Sequence, residues 1–276
     1  MDRRSFLTVA AAAALASGPA QAAPKAQLWP RWQAHDPASR VSVDHGLWAA
    51  LLRAHVRTAA DGINRFAYGA MAGADRERLT AYLQALAGTP VSQLARPEQL
   101  AYWVNLYNAL TVKCVLDHYP VRSIRDIDIS PGLFASGPWG AKLARIEGED
   151  LSLDDIEHRI LRPIWADPRI HYAVNCASLG CPNLEAEPFT AAALDRMLDA
   201  AALAYVNHPR GVSLAGRRLV VSSIYVWFKA DFGGDDAAVL RHLKAYARPD
   251  LAMELDKRRR IDGHDYDWTL NDTATA

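Results

Sequence analysis

PEQLAYWVNLYNALTVKCVLDHYP, residues 97–120, is the stretch from which the rest of the chain is read. Leu100, Trp103, Val104, Tyr107, Leu110, Cys114 and Val115 recur at steps of three and four, which makes one apolar stripe of a helix. Pro97 suits its first turn and Pro120 prevents its continuation. The spacing predicts a helix from Pro97 to His118, with Cys114 as core packing. Asn105 and Asn108 stand mid-helix, one turn apart. Asn side chains compete for the backbone, so two of them here need partners. They are expected either as amide donors aimed at a substrate or oxyanion, or as buried amides satisfying a neighbouring loop. Trp103, Tyr107, Trp227, Phe228 and Trp268 are expected in the core or around a ligand groove.

Toward the N-terminus, Leu47, Leu51, Leu52, His55 and Val56 keep helical spacing behind Asp44, a candidate cap. A second helix is expected over Ala74–Ala87, ended by Gly88-Thr89-Pro90. Beyond Pro120 the texture becomes turn-rich. Lys142–Ile146 and Asp150–Leu151 read as a hairpin, and Ser152-Leu153-Asp154-Asp155 as a capping box before Ile156, Ile160 and Leu161. Arg169–Cys176 alternates like a strand, Ala191–Tyr205 reads as a helix, and Val212–Leu214 with Arg218–Val221 as a hairpin around Gly216. Ser222 or Ser223 caps a short aromatic helix. Asp235–Ala245 and Asp250–Lys257 are further helices, and Arg260–Trp268 is a last strand. The fold class expected is α+β: a mostly helical single domain with a small antiparallel sheet of short, late strands.

Met1-Asp2-Arg3-Arg4-Ser5-Phe6-Leu7 and the alanine-rich run to Ala16 read as a twin-arginine export signal, cleaved after Ala22 in Ala20-Gln21-Ala22. A Sec signal carrying two arginines is the alternative. The layout is then a signal over 1–22, an irregular leader over 23–43, one domain over 44–271 and a tail over 272–276. A periplasmic location is expected, with the twin-arginine translocase as a partner during export. The apolar run is shorter than the roughly 20 residues a span needs, and none follows in the mature chain. Formal net charge is zero, which argues against nucleic acid or an anionic membrane as a bulk electrostatic partner. A small-molecule or peptide ligand in the envelope remains the expected partner class. No cofactor or metal motif is read, and neither G-x-S-x-G, H-E-x-x-H nor a phosphate-binding glycine loop is present. Asp231-Phe232-Gly233 spells a kinase tripeptide without the other kinase motifs.

Three cysteines are too few for a disulfide scaffold. Cys176 and Cys181 flank a turn, and four readings stand open: a disulfide formed after export, a reactive thiolate, a metal site with His171, or two inert thiols. In the thiolate reading His158 is the general base, with Asp154 one turn before it, Arg162 one turn after and Glu157 beside it. The alternative is a histidine in a local ion-pair ladder. His171 is the rival base, facing away from Cys176 if the strand is regular. Asp267 is a candidate to orient a histidine.

Five blocks resemble the domain of unknown function 547 family. They are Glu98–Leu110, Tyr119–Ile124, Glu157-His158 with Leu161-Arg162, His171–Cys176 leading to Gly180-Cys181-Pro182, and Tyr266–Asn271. Their order covers about residues 45–271. The resemblance implies an exported protein and carries no activity with it. A likeness to papain- or transglutaminase-like cysteine enzymes is a fold-level analogy. Two functions are therefore expected in competition: a cysteine-dependent hydrolase or acyl transferase acting on amide or ester bonds, and a non-catalytic binding or scaffold module stapled by a Cys176–Cys181 disulfide. A thiol redox protein is the third, with the lack of C-x-x-C against it.

Overall fold

From the N-terminal side the chain builds α1 (Gly46–His55), the hairpin of β1 (Val56–Thr58) and β2 (Asn64–Phe66), α2 (Gly73–Ala87) and α3 (Arg96–His118). A second hairpin, β3 (Ala144–Ile146) and β4 (Glu149–Leu151), leads into a π-helix over Asp155–Leu161, continued by α4 (Arg162–Trp165). Then come α5 (Ile170–Ala173), α6 (Leu194–Val206), β5 (Val212–Ala215), β6 (Arg218–Ser222), α7 (Ile224–Trp227), α8 (Asp236–Tyr246), α9 (Pro249–Asp256) and β7 (Gly263–Asp265). This computed structural model describes residues 24–132 and 137–275. The expected twin-arginine signal and the expected cleavage after Ala22 fall outside the described residues. No helix among the described residues is long and apolar enough to cross a membrane.

The protein is mostly helical α+β with small sheets. Every residue of α3 from Glu98 to Val112 is buried, so the single stripe is a minimum: α3 is the hub, covered on all sides. Among the described residues there are three small sheets where one was expected. β1–β2 comes early, with Val56 opposite Phe66, and β7 joins β6 in parallel, with Val221 opposite His264. Three-residue strands are too short to show alternation, although Asp61-Gly62, with Gly62 at φ 79°, carries a hairpin turn signal. The parallel pairing follows from the helical crossover α7–α9 between β6 and β7.

Arg169–Cys176 is not a strand. Pro168 sets a turn, the Asp167 carboxylate accepts the Arg169 N–H at 2.8 Å, and Ile170–Ala173 coils into α5. The capping box at Ser152 and Asp155 is reciprocal: Ser152 Oγ accepts the Asp155 N–H at 3.1 Å, and the Asp155 carboxylate accepts the Ser152 N–H at 3.0 Å. The helix it opens is wide. The Arg162 N–H reaches back five residues to the Glu157 carbonyl. Pro163 has no N–H to offer the carbonyls at this end. The leader supplies the donors: Gln27 N–H to the His158 carbonyl at 2.9 Å and Trp29 N–H to the Arg159 carbonyl at 3.0 Å. From residue 24 the leader is otherwise irregular, with short turns at Pro30–Gln33 and at Pro37–Ala38; the first buries Trp32 against Trp103, centroids 5.1 Å apart.

Two hydrophobic cores result. One surrounds α1–α3 and the π-helix, and the other lies among α6, β5, β6 and α8. Their seam runs between Tyr172, in the second core, and Ala173, in the first. The chain from α5 to Cys181 follows that seam.

Candidate functional site

The two asparagines of α3 act as clamps on backbone. Asn105 Nδ2 donates to the Phe189 carbonyl at 2.7 Å, and its Oδ1 accepts the Phe189 N–H at 3.1 Å. Asn108 Nδ2 donates to the Ala173 carbonyl at 2.9 Å, and its Oδ1 accepts the Asn175 N–H at 2.8 Å. Both are buried and both are satisfied by neighbouring segments. Asn108 thereby fixes the three residues that precede Cys176. Asn175 closes the next loop, accepting the Ala177 N–H at 2.9 Å and donating to the Pro182 carbonyl at 2.7 Å. Ala177 is held at φ 59°, a left-handed conformation that costs an alanine roughly 1–2 kcal/mol. Gly180 allows the final approach. Its N–H donates to the Asp267 carbonyl at 2.8 Å, and a Cβ there would lie 2.7 Å from the Asp267 nitrogen.

The loop so pinned folds C-x4-C back on itself and leaves Cys176 Sγ 3.1 Å from Cys181 Sγ, both as free thiols. Cys176 is half-buried, while Cys181 is 4% exposed. Tyr266 Oη lies 3.0 Å from Cys176 Sγ and accepts from Ser178 Oγ at 3.0 Å. Ser178 Oγ is itself 3.4 Å from the sulfur. The Cys181 hydrogen bond lowers the Cys176 pKa most, aided by Ser178 and Tyr266 and opposed by burial. Burial, then the neighbouring Cys176 sulfur, push the Cys181 thiol well up. Cys176 is thus the more acidic thiol of the pair and Cys181 the less acidic. Burial likewise pushes the Tyr266 hydroxyl up and keeps it a donor. Five nearby backbone N–H groups already have partners: Cys176 N–H on Cys181 Sγ at 3.0 Å, Ala177 N–H on Asn175 and Cys181 N–H on Ser178 within the loop, and Leu179 N–H on Thr269 and Gly180 N–H on Asp267 of the C-terminal segment.

The π-helix builds a second, ionic cluster. Glu157 is 7% exposed and accepts the Tyr107 hydroxyl at 3.1 Å. Its other oxygen lies 3.8 Å from both His158 Nδ1 and His171 Nδ1. Arg162 donates to His158 Nδ1 at 3.0 Å and to Asp231 at 2.6 Å, and His171 Nε2 meets Asp231 at 2.7 Å. Phe228 stacks on His171 at 4.2 Å. Burial would raise the Asp231 pKa, but the His171 and Arg162 hydrogen bonds outweigh it and hold the carboxyl well below the usual range.

His158 therefore sits in the Asp154–Arg162 ladder, 3.5 Å from Asp154, and is not a hydrogen-bond partner of Cys176. His171 faces Asp231 instead of the cysteines. Because it lies on a helix, the strand argument about its direction does not apply. Asp267 is exposed and caps the Thr269 N–H at 2.8 Å instead of orienting a histidine. Trp103 is in the core, 1% exposed. Cys114 is buried on α3, which pushes its thiol up to about 12. Among the described residues no three His, Cys, Asp or Glu side chains gather as a metal ion would need. Sequence reasoning gave no role to Tyr266, Ser178 or Asn175, and it set aside Asp231, the acid that holds Arg162 and His171.

The family profile described as Protein of unknown function, DUF547, matches residues 91–206. Residues 91–206 form a DUF547 domain. The match takes in α3, the π-helix, α5 and both cysteines of the pair, and α6 closes it. The aromatic block at Tyr266–Asn271, which completes the thiol site, lies beyond the matched range of the DUF547 domain. Comparison with curated proteins and with solved structures returns no match.

Proposed function

We propose that the protein carries out thiol–disulfide exchange, with Cys176 as the attacking thiolate and Cys181 as the resolving thiol. The observation that carries this reading is the asymmetric pair. Two sulfurs lie 3.1 Å apart, one half-buried and made more acidic by its hydrogen-bond partners, the other buried and made less acidic. Exchange needs an accessible thiolate of lowered pKa with a second thiol in reach. The lack of C-x-x-C counts against redox chemistry by motif, but the C-x4-C turn still brings the two sulfurs within 3.1 Å.

The steps balance without a cofactor. The Cys176 thiolate attacks one sulfur of a substrate disulfide, forming a mixed disulfide and expelling a thiolate. Cys181 then loses its proton and attacks Cys176 Sγ. The Cys176–Cys181 disulfide forms and the second substrate thiolate leaves. The substrate disulfide is reduced to two thiols while the protein dithiol is oxidised. Export through the twin-arginine translocase, with cleavage after Ala22, belongs to the same proposal. It would place a dithiol folded in the cytoplasm into a periplasm where disulfides persist.

A second reading is acyl transfer by Cys176 on amide or ester bonds, with Tyr266 as proton donor to the leaving group. The Tyr266 hydroxyl at 3.0 Å from the sulfur favours it. The papain- or transglutaminase-like analogy belongs to this reading, as do the oxyanion donors it would require. Mass spectrometry of the mature protein separates the readings. Incubation with glutathione disulfide should join Cys176 to Cys181, a loss of two hydrogens, and release two glutathione thiols per protein. Cys181→Ser should stop at the glutathione adduct on Cys176. Glutathione disulfide left unreduced by the wild type, alongside acylation of Cys176 by an activated ester, would replace exchange by acyl transfer.

A further inference from the structure

Beside Cys176 stands a wall of four half-buried aromatic side chains. Tyr266, whose hydroxyl meets the sulfur, packs against Trp227 at 4.8 Å and Trp268 at 4.7 Å. Trp227 stacks on Trp268 at 5.6 Å, and Trp139 meets Trp268 edge-on at 5.7 Å. Trp139 and Trp268 rest on the first core, and Trp227 and Tyr266 on the second, so the wall caps the seam that the cysteine loop follows. Arg125 lies over the Trp268 ring at 5.4 Å and gives the wall one charged edge.

We infer that this wall is a docking subsite for polypeptide, and that the substrates of Cys176 are protein disulfides whose cysteines are flanked by apolar or aromatic residues. The inference rests on the exchange reading for its chemistry. Three observations select the occupant. The rings are continuous with the nucleophile through the Tyr266 hydroxyl, so a disulfide at Cys176 Sγ brings its own chain onto them. Indole faces gain most from aliphatic and aromatic side chains, whereas a small polar disulfide has little apolar surface to offer. The rings are packed against one another at 4.7–5.7 Å with interplanar angles of 29–71°, a ridged apolar surface that leaves no gap among the rings to cage a single cation and suits the side chains of a polypeptide.

The test uses the mature chain, residues 23–276, and two peptides: a ten-residue peptide with Phe and Leu beside a central Ser in place of Cys, and a control with Ser and Gly there. Binding is followed by tryptophan fluorescence. The apolar peptide should bind at least tenfold more tightly than the control. Trp268→Ala and Trp227→Ala should each erase most of that difference, and Trp268→Phe should keep part of it if the alanine variants fold poorly. With the matching peptide disulfides, the same preference should appear in KM more than in kcat. Equal affinity for both peptides would overturn the inference, as would quenching by a soluble glycan alone or by self-association of the chain. Tight binding without any disulfide reduction would keep the subsite and remove the exchange reading. Reduction of both peptide disulfides at equal rates would keep exchange and remove the subsite.

Discussion

Replacing Asn108 by alanine removes two hydrogen bonds at once, at 2.9 Å to the Ala173 carbonyl and 2.8 Å to the Asn175 N–H, in a place 3% exposed. Each backbone group is left buried and unpaired, at about 1–3 kcal/mol apiece, so the loss should be roughly 3–5 kcal/mol. For a chain of this size that is on the order of 10 °C in Tm. Asn105→Ala removes the equivalent pair on Phe189 and should cost a similar amount, about 3–5 kcal/mol. The two variants should part company at the thiol. Asn108 holds the residues leading into Cys176, whereas Asn105 holds a segment beyond Pro182. Urea unfolding followed by near-UV circular dichroism gives the stability, and alkylation of the folded protein read by mass spectrometry gives the reactivity of Cys176. Asn108→Ala should change the alkylation rate several-fold, and Asn105→Ala should change it far less. A stability loss under about 1 kcal/mol for Asn108→Ala would refute the clamp argument. Equal changes in thiol reactivity for the two variants would refute the assignment of Asn108 to the cysteine loop.

Other perturbations follow from the same contacts. Cys176 should alkylate with a midpoint below the ordinary thiol value of about 8.5, and Tyr266→Phe should move that midpoint upward by removing a donor to the thiolate. Asp231→Asn should destabilise the fold by about 3–5 kcal/mol, because Arg162 loses its buried counter-charge and His171 the carboxylate it is hydrogen-bonded to. Asp231 is depressed in the folded state, so its contribution is full above the unfolded value near pH 4 and is lost as pH falls toward the folded value. Acid titration of stability should therefore be flatter below about pH 4 in Asp231→Asn than in the wild type. Gln27→Pro removes the donor to the His158 carbonyl and should cost about 1–3 kcal/mol in urea unfolding.

Helices were legible where spacing was long and punctuated. Pro97, Pro120 and Gly88 bound α2 and α3 to within a residue or two. The failures have local causes. At Arg169–Cys176 the alternation of residue types was real, but Asp167-Pro168 just before it started a helical turn in its first half. β1 and β2 hold three residues each, below the length at which a period of two can be read. The partners of Asn105 and Asn108 were foreseeable as a need, since a mid-helix amide must be satisfied, but not as Phe189 and Ala173, which depend on tertiary return of the chain. The thiol site was half visible. Cys176 and Cys181 stood out by type. Tyr266 comes from the far end of the sequence, in a block that resembled the family but pointed to no role, and Ser178 comes from inside the turn. His158 drew attention as a base because histidine titrates near neutrality, yet its neighbours at four residues on either side already accounted for it.

Pro163 and the leader form a pair whose fates are tied. With proline at 163 the end of the π-helix lacks a donor, and residues 27 and 29 of another segment fill the need. Either partner alone is a defect, and the two together are a closed structure. An ancestor that acquired the proline before the leader settled would have carried two thirsty carbonyls beside Glu157 and His158. Among relatives, loss of the leader should therefore travel with a non-proline residue at this position. A fusion or tag joined close to residue 24 would strain the helix that carries Glu157 and Arg162, though it is remote from both in the sequence.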